Sequence, residues 1–257
     1  MKRDSTQAWH HRRVNTRWVD THTHMNRFDG AQGGEMLERA RAEGVAVIGV
    51  STDVPAAITL VATKGLAGVA IGVHPIHAGV SDPAELADLA RHAKNVVAIG
   101  ECGFDGAGPP ADVQAAAFEI QTEIARTTGL PLILHIDGAN AWEQLLDCEA
   151  ALEGLTVIRH YFTGGADEAE WHAAQGHYLS FGNPLRRDPS LRDIAFAYPA
   201  ERLLVETDSY PLPDRRTEPR DVVRVAETLA LVRGWTFSEG STRLLENTRR
   251  AFPRLRL

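Results

Sequence analysis

WVDTHTH, residues 18–24, opens on apolar residues and closes on an alternating polar run. Successive side chains of a β-strand face opposite ways, so Asp20, His22 and His24 share one face and Val19, Thr21 and Thr23 the other. Two imidazoles spaced i, i+2 at a strand end can reach one cation. Alone, the pattern is a weak signal in a chain with 11 histidines. The same kind of ending recurs downstream, however. Glu101 closes VVAIGE, His135 closes PLILH, His160 closes TVIRH, and Asp208 closes RLLVETD. Each has a plainer reading taken singly: a salt bridge for Glu101, a hydrogen-bonded core histidine for His135 or His160, a turn cap for Asp208. Six such coincidences at five predicted strand ends are implausible. Only a closed parallel barrel gathers many strand ends onto one face, the face where barrel enzymes carry their chemistry.

The rest of the chain has the matching rhythm. Strand-like runs at 17–22, 45–50, 68–73, 95–101, 130–135, 155–160, 177–182 and 202–207 alternate with helix-like stretches near 33–43, 54–64, 83–93, 111–128, 139–150, 166–175 and 188–197, and then 219–232 and 238–250. The runs are short, rich in Val, Ile and Leu, and bounded by Gly, Pro or charge, as strands buried on both faces should be. With 257 residues in all, the expected architecture is a single-domain distorted (β/α)8 TIM barrel over residues 17–257, with a doubly wound open sheet as the competitor. Residues 1–16, polar and basic, read as a flexible N-terminal extension with no apolar stretch of a signal peptide.

Composition narrows the function classes. At 44% hydrophobic and 24% charged the chain has ample core material, and no apolar run reaches membrane-span length. A net charge of −7 opposes broad electrostatic adhesion to nucleic acid, though not a grip on a strand end through a metal site. Two cysteines, Cys102 and Cys148, are too few for a disulfide framework, and a cytoplasmic location is expected. Cys102 follows Glu101 directly, so alternation turns it away from the barrel interior.

The stretches DTHTH (20–24), GVHP (72–75), GECGFD (100–105), LILH (132–135), RHYFTGG (159–165), LLVETDSYPLP (203–213), EP (218–219) and ENTRRAF (246–252) together resemble the TatD-type metal-dependent deoxyribonuclease family of the amidohydrolase superfamily. They occur in family order over nearly all of the chain after residue 17. The resemblance implies His22, His24 and Asp208 on one metal ion, His135 and His160 on another, and Glu101 bridging. Three positions depart from it: Asp137 where an arginine is usual, Gly106 where an aromatic residue is frequent, and Tyr161 where a small residue is usual. They touch the substrate-contacting shell and leave the metal set whole. A carboxylated lysine bridge, used by other barrel hydrolases, is disfavoured, because Lys2, Lys64 and Lys94 all lie away from strand ends.

Two divalent ions, zinc, manganese or magnesium, would suit this mixed imidazole–carboxylate set. The resemblance implies phosphodiester hydrolysis by a metal-activated water, trimming a DNA end or single-stranded DNA in the 3′–5′ sense, with Asp208 and Glu101 as the catalytic carboxylates. Glu206, two residues before Asp208, is expected to orient a ligand histidine. His74, Arg186, Arg187 and Glu218 are candidate substrate contacts, and Arg215 and Arg216 lie on the same kind of loop. Two alternatives stand beside this reading: a small-molecule ester, lactone or amide hydrolase of the same fold, and a catalytically idle partner subunit of a larger assembly.

Overall fold

The computed structural model describes residues 16–212 and 217–257. Eight parallel strands follow one another around the sheet: β1 (Trp18–Thr23), β2 (Val45–Val50), β3 (Gly68–Ile71), β4 (Val96–Asp105), β5 (Leu132–Asp137), β6 (Val157–Arg159), β7 (Tyr178–Phe181) and β8 (Leu203–Val205). The sheet closes where β8 meets β1. Thr23 bridges Ser209, the Thr21 hydroxyl donates to Val205 O at 3.0 Å, and the Asp208 N–H donates to His22 O at 3.0 Å. This is the (β/α)8 TIM barrel expected from the strand–helix rhythm, and the closure excludes the open sheet.

Between and after the strands lie α1 (Gly30–Ala42), α2 (Val54–Ala62), α3 (Ala87–His92), α4 (Ala111–Thr128), α5 (Ala141–Asp147), α6 (Ala166–Ala174), α7 (Pro189–Ala197), α8 (Val222–Val232) and α9 (Phe237–Ala251). Local chemistry sets their ends. The Asp29, Asp53 and Asp188 carboxylates accept from first-turn N–H groups of α1, α2 and α7, and Thr236 with Glu239 forms a capping box on α9. The stretches expected to be helical at 83–93 and 139–150 each divide into an α-helix and a short 3₁₀ turn, Pro83–Leu86 before α3 and Glu149–Leu152 after α5. No helix among the described residues is long and apolar enough to cross a membrane.

Alternation along the strands splits the apolar residues into two layers. Val45, Val47, Val69, Ile71, Leu132, Leu134, Leu203 and Val205 pack with the helices, as does Cys102. Val19, Ile48, Val50, Ala70, Ile133, Ile158 and Leu204 fill the barrel with Phe252 and Leu255 from beyond α9. Leu255 lies beside Gly68 at the start of β3, so this apolar fill occupies the end of the barrel opposite the donor residues. Several strand ends differ from expectation: β4 continues to Asp105 and β5 to Asp137, which places Glu101 and His135 inside strands, while β3, β6 and β8 stop at Ile71, Arg159 and Val205. The flexible extension assigned to residues 1–16 falls outside the described residues except for Thr16.

A buried histidine pair sits between α6 and β7. His172 Nδ1 and His177 Nδ1 are 3.0 Å apart, and the Tyr198 hydroxyl donates to His177 O at 2.7 Å. Burial, reinforced by the neighbouring His172 and Arg202, lowers His177 to about 3 from its ordinary 6.5. Burial likewise lowers His172. Above pH 6.5 the ring is neutral in both folded and unfolded chains. As pH falls from 6.5 towards about 3, only the unfolded chain takes up the proton, so stability is lost through that window. The expected loss is up to about 1.4 kcal/mol per pH unit for such a group. Denaturant unfolding at a series of pH values should therefore show a shallower acid decline for His177→Gln than for wild type. Identical slopes would remove His177 as a cause.

Candidate metal centre

Glu101 stands among four imidazoles at the C-terminal mouth of the barrel. Its Oε2 lies 3.3 Å from His22 Nε2, 3.5 Å from His135 Nδ1 and 3.1 Å from His160 Nε2, and its Oε1 lies 3.3 Å from His24 Nε2. Asp208 Oδ1 adds a contact of 3.2 Å to His24 Nε2 and one of 3.9 Å to His22 Nε2. The donors form two sets, His22–His24–Asp208 and Glu101–His135–His160, whose ligand atoms lie within 4.8 Å of one another in each set. All six residues singled out from the sequence are thus brought together.

The backbone explains how. β4 and β5 pair through Ile99 and Leu132, then resume at Cys102 and Leu134, so Gly100 and Glu101 stand opposite Ile133 alone. This bulge re-aims the Glu101 side chain into the barrel mouth. Gly100 permits it: its φ is +128°, and a Cβ there would fall 2.5 Å from Ile133 O. On the other side of the seam β8 ends at Val205, and Asp208 adopts φ +50°. Simple alternation, which put Glu206 and Asp208 on one face, does not extend that far, and hydrogen bonds place these residues instead.

Neighbouring groups fix the rings. His24 Nδ1 lies 3.0 Å from Val50 O, so it holds the proton and leaves Nε2 as the donor atom. His160 Nδ1 lies 3.2 Å from Glu206 Oε1, a carboxylate oxygen that also accepts from the Tyr161 N–H at 2.9 Å. His135 faces His160 Nε2 at 2.9 Å through Nδ1 and Asp105 Oδ2 at 3.3 Å through Nε2. His22 Nε2 and Asp208 Oδ1 are buried with no hydrogen-bond partner. Buried polar atoms are rarely left in this state. These two face the shared centre, and imidazole nitrogen with carboxylate oxygen is a donor set that suits a divalent cation.

The electrostatics of the metal-free cluster point the same way. Burial alone would lower His160, but hydrogen bonds and charges of Glu101 and Glu206 raise it to about 10. His24 is raised against the effect of burial by Glu101 and Asp208. Burial would raise the two acids, yet the surrounding histidines hold Glu101 well below the usual carboxylate range and Asp208 at about 2. His22 is lowered, by burial first and then by the His160 charge.

Above the donors opens a cavity of about 440 Å³, whose walls include Arg27, His74, Asp137, Arg159 and Tyr210. His74 Nδ1 accepts the Ile76 N–H at 3.2 Å, so its Nε2 carries the proton and is a hydrogen-bond donor. Burial holds His74 down to about 3, which keeps it neutral. The other predicted substrate contacts are placed elsewhere. Arg186 and Arg187 follow β7 without lining the cavity, and Arg186 lies 3.4 Å from Asn183 Oδ1. Glu218 accepts two bonds from Arg39, at 2.9 and 3.0 Å, and pairs with Arg220 at 3.1 Å. Its carboxylate ties a helical turn to α1, and these guanidiniums explain why it does not face the cavity. Arg215 and Arg216 lie outside the described residues.

Three contributors escaped the sequence reading. Asp105 shares Glu101's parity, a signal hidden because the strand was expected to stop early. β1 shifts register against β2 between Asp20 and Thr23, so simple alternation fails there. Val19 and Thr21, expected on the face opposite His22 and His24, turn into the barrel. Asp20, expected to share the histidines' face and given no role, pairs with Val47 of the helix-side layer. Asp20 accepts from the Thr207 N–H at 2.9 Å and the Thr207 hydroxyl at 2.6 Å, and burial raises its pKa well above the usual range. Arg159 opens the RHYFTGG stretch, but nothing in the sequence showed its role. Although only 3% exposed, it bonds Glu168 at 3.2 Å, Ile136 O at 2.8 Å, and the carbonyl of His160.

A β/α barrel with imidazoles and carboxylates massed at the C-terminal ends of its strands is the frame of a metal-dependent hydrolase. The chain belongs to the TatD related DNase family, whose family model matches residues 19–253. It is 34% identical to the metal-dependent hydrolase YabD of Bacillus subtilis, over 91% of this chain and 98% of that protein. It is also 34% identical to the 3'-5' ssDNA/RNA exonuclease TatD of Erwinia tasmaniensis, over 70% of this chain and 76% of the relative. Among solved structures, YJJV, a TatD homolog from Escherichia coli, superposes with a TM-score of 0.78 at 27% identity, covering 92% of this chain and 98% of that one. A TatD family hydrolase from Entamoeba histolytica shares the fold with a TM-score of 0.79 at 19% identity, covering 93% and 99%.

Metal uptake should release protons, because His160, raised to about 10, is protonated at neutral pH and must lose that proton to act as a donor. Affinity should weaken on acidification by about tenfold per pH unit for each proton displaced. Calorimetric zinc or manganese titrations in buffers of different ionisation enthalpy test this, and binding without proton release would contradict it. Elemental analysis should find fewer ions retained by Glu101→Ala than by wild type.

Proposed function

We propose that this chain is a nuclease that hydrolyses phosphodiester bonds of single-stranded DNA or a DNA end in the 3′–5′ direction, using two divalent ions. The observation that carries the reading is the position of Glu101 within contact distance of both donor sets. His22, His24 and Asp208 would hold one ion, His135 and His160 the other, and Glu101 both. Zinc, manganese or magnesium bound there would polarise a phosphoryl oxygen and acidify water.

The chain's own residues supply the remainder. Asp208 is the most exposed of the donor carboxylates, at 18%, and lines the cavity. It accepts the proton of the attacking water and delivers it to the leaving oxygen. His74 donates its Nε2–H to a non-bridging phosphate oxygen. Glu206 and Asp105 hold the rings of His160 and His135 in place. The net charge of −7 opposes broad electrostatic adhesion of nucleic acid to the rest of the surface. Relatives named 3'-5' ssDNA/RNA exonuclease support both the substrate and the direction.

Metal-replete protein should shorten 5′-labelled single-stranded DNA from its 3′ end, and Asp208→Ala and His135→Ala should lower the rate by about 10²–10⁴. Turnover of a small-ester panel with DNA left intact would transfer the function to small-molecule hydrolysis. A chain that binds no metal and turns over neither substrate would be an idle partner subunit.

A further inference from the structure

We propose that Asp137 selects the strand end: its carboxylate accepts a hydrogen bond from the free hydroxyl of the terminal nucleotide and repels a terminal phosphate. The inference rests on the nuclease reading above and adds which end the site prefers.

Asp137 closes β5 two residues beyond His135, so alternation gives both side chains the same side, and both line the cavity. Its backbone is fixed. Asp137 pairs in register with Asp105 on β4, and its carbonyl accepts the Gly106 N–H at 2.8 Å. Its side chain is exposed and makes no hydrogen bond or ion pair among the described residues. This contrasts with the other acids around the centre, since Glu101 and Asp208 face histidines, Asp105 faces His135, and Glu206 faces His160. Arg159, on the same wall, does not neutralise it by a direct pair. That guanidinium is buried and turned to Glu168 and to the carbonyls of Ile136 and His160. The wall therefore presents substrate with an open carboxylate on a rigid strand end, and the cation lies behind it.

An ionised carboxylate accepts hydrogen bonds and donates none. A sugar hydroxyl suits it, and such charge-assisted bonds are about twice as strong as neutral ones. A terminal phosphate offers the opposite: about 1.5 to 2 further negative charges at neutral pH, set against a fixed negative charge in a partly enclosed site. Like charges across a binding surface suppress the wrong partner. Asp137 thus separates two substrates that share the same scissile diester and differ only at the terminus.

The test compares kcat/KM on two 5′-labelled single-stranded oligodeoxynucleotides, one ending in a 3′-hydroxyl and one in a 3′-phosphate, with metal-replete wild type, Asp137→Asn and Asp137→Arg. Wild type should favour the hydroxyl end by about tenfold or more, the size of effect expected from one hydrogen bond to a charged group. Asp137→Asn, close in shape and at an exposed position, should bring the ratio towards one. Asp137→Arg should reverse it, and the Asn variant keeps the comparison readable if the Arg variant fails to fold. Equal cutting of both ends by wild type, or a ratio that neither substitution moves, overturns this inference and leaves the nuclease reading intact. Failure of metal-loaded wild type to cut either oligonucleotide overturns the nuclease reading, and this inference with it.

Discussion

The negative charge of Glu101, 2% exposed, is the constraint on which the rest of the site depends. A carboxylate removed from water at that depth is costly unless it is paired. The partners come from three other strands or their ends, with His22 and His24 from β1, His135 from β5 and His160 just beyond β6. They meet only if the sheet curls fully round, so barrel closure and charge compensation require each other. The bulge at Gly100–Glu101 is the local device that makes this possible, because it turns one acidic side chain into the mouth while Ile99 and Cys102 stay with the outer layer.

The seam between β8 and β1 is the least regular part of the barrel, and the site is built across it. Asp20 on β1 receives both the N–H and the hydroxyl of Thr207, while the Asp208 N–H is taken by His22 O. These side-chain bonds replace much of the strand pairing that a longer β8 would provide. They also carry Asp208 to within reach of His24. The irregularity at this seam therefore positions a candidate metal donor, and the acids Asp20 and Glu206 hold the seam and the His160 ring.

Charge in the molecule is local in its action. With a net charge of −7 the protein gains little from long-range attraction to a polyanion. Under the proposed nuclease reading, attraction would come from ions held by the candidate donors, from Arg27 on the cavity wall, and from neutral donors such as His74. Arg159 and Glu168 compensate one another beneath the wall, which leaves Asp137 as the open carboxylate on that wall.

The primary structure alone determined the eight strand–helix repeats and singled out the six candidate donor residues. Both follow from patterns that neighbouring residues enforce, namely apolar runs bounded by breakers and imidazoles or acids directly after those runs. It could not show that β4 and β5 run on to Asp105 and Asp137, because the residues beyond Glu101 and His135 gain their pairing from one another across the sheet. Nor could it separate Glu218 from the substrate contacts, since Arg39 is 179 positions away in the chain. Arg159 was invisible for a related reason: its partners are two carbonyls and an acid assembled from β5, the β6 end and α6. Local pattern fixes which element a residue joins. Which buried charge meets which depends on distances that exist only once the barrel has closed.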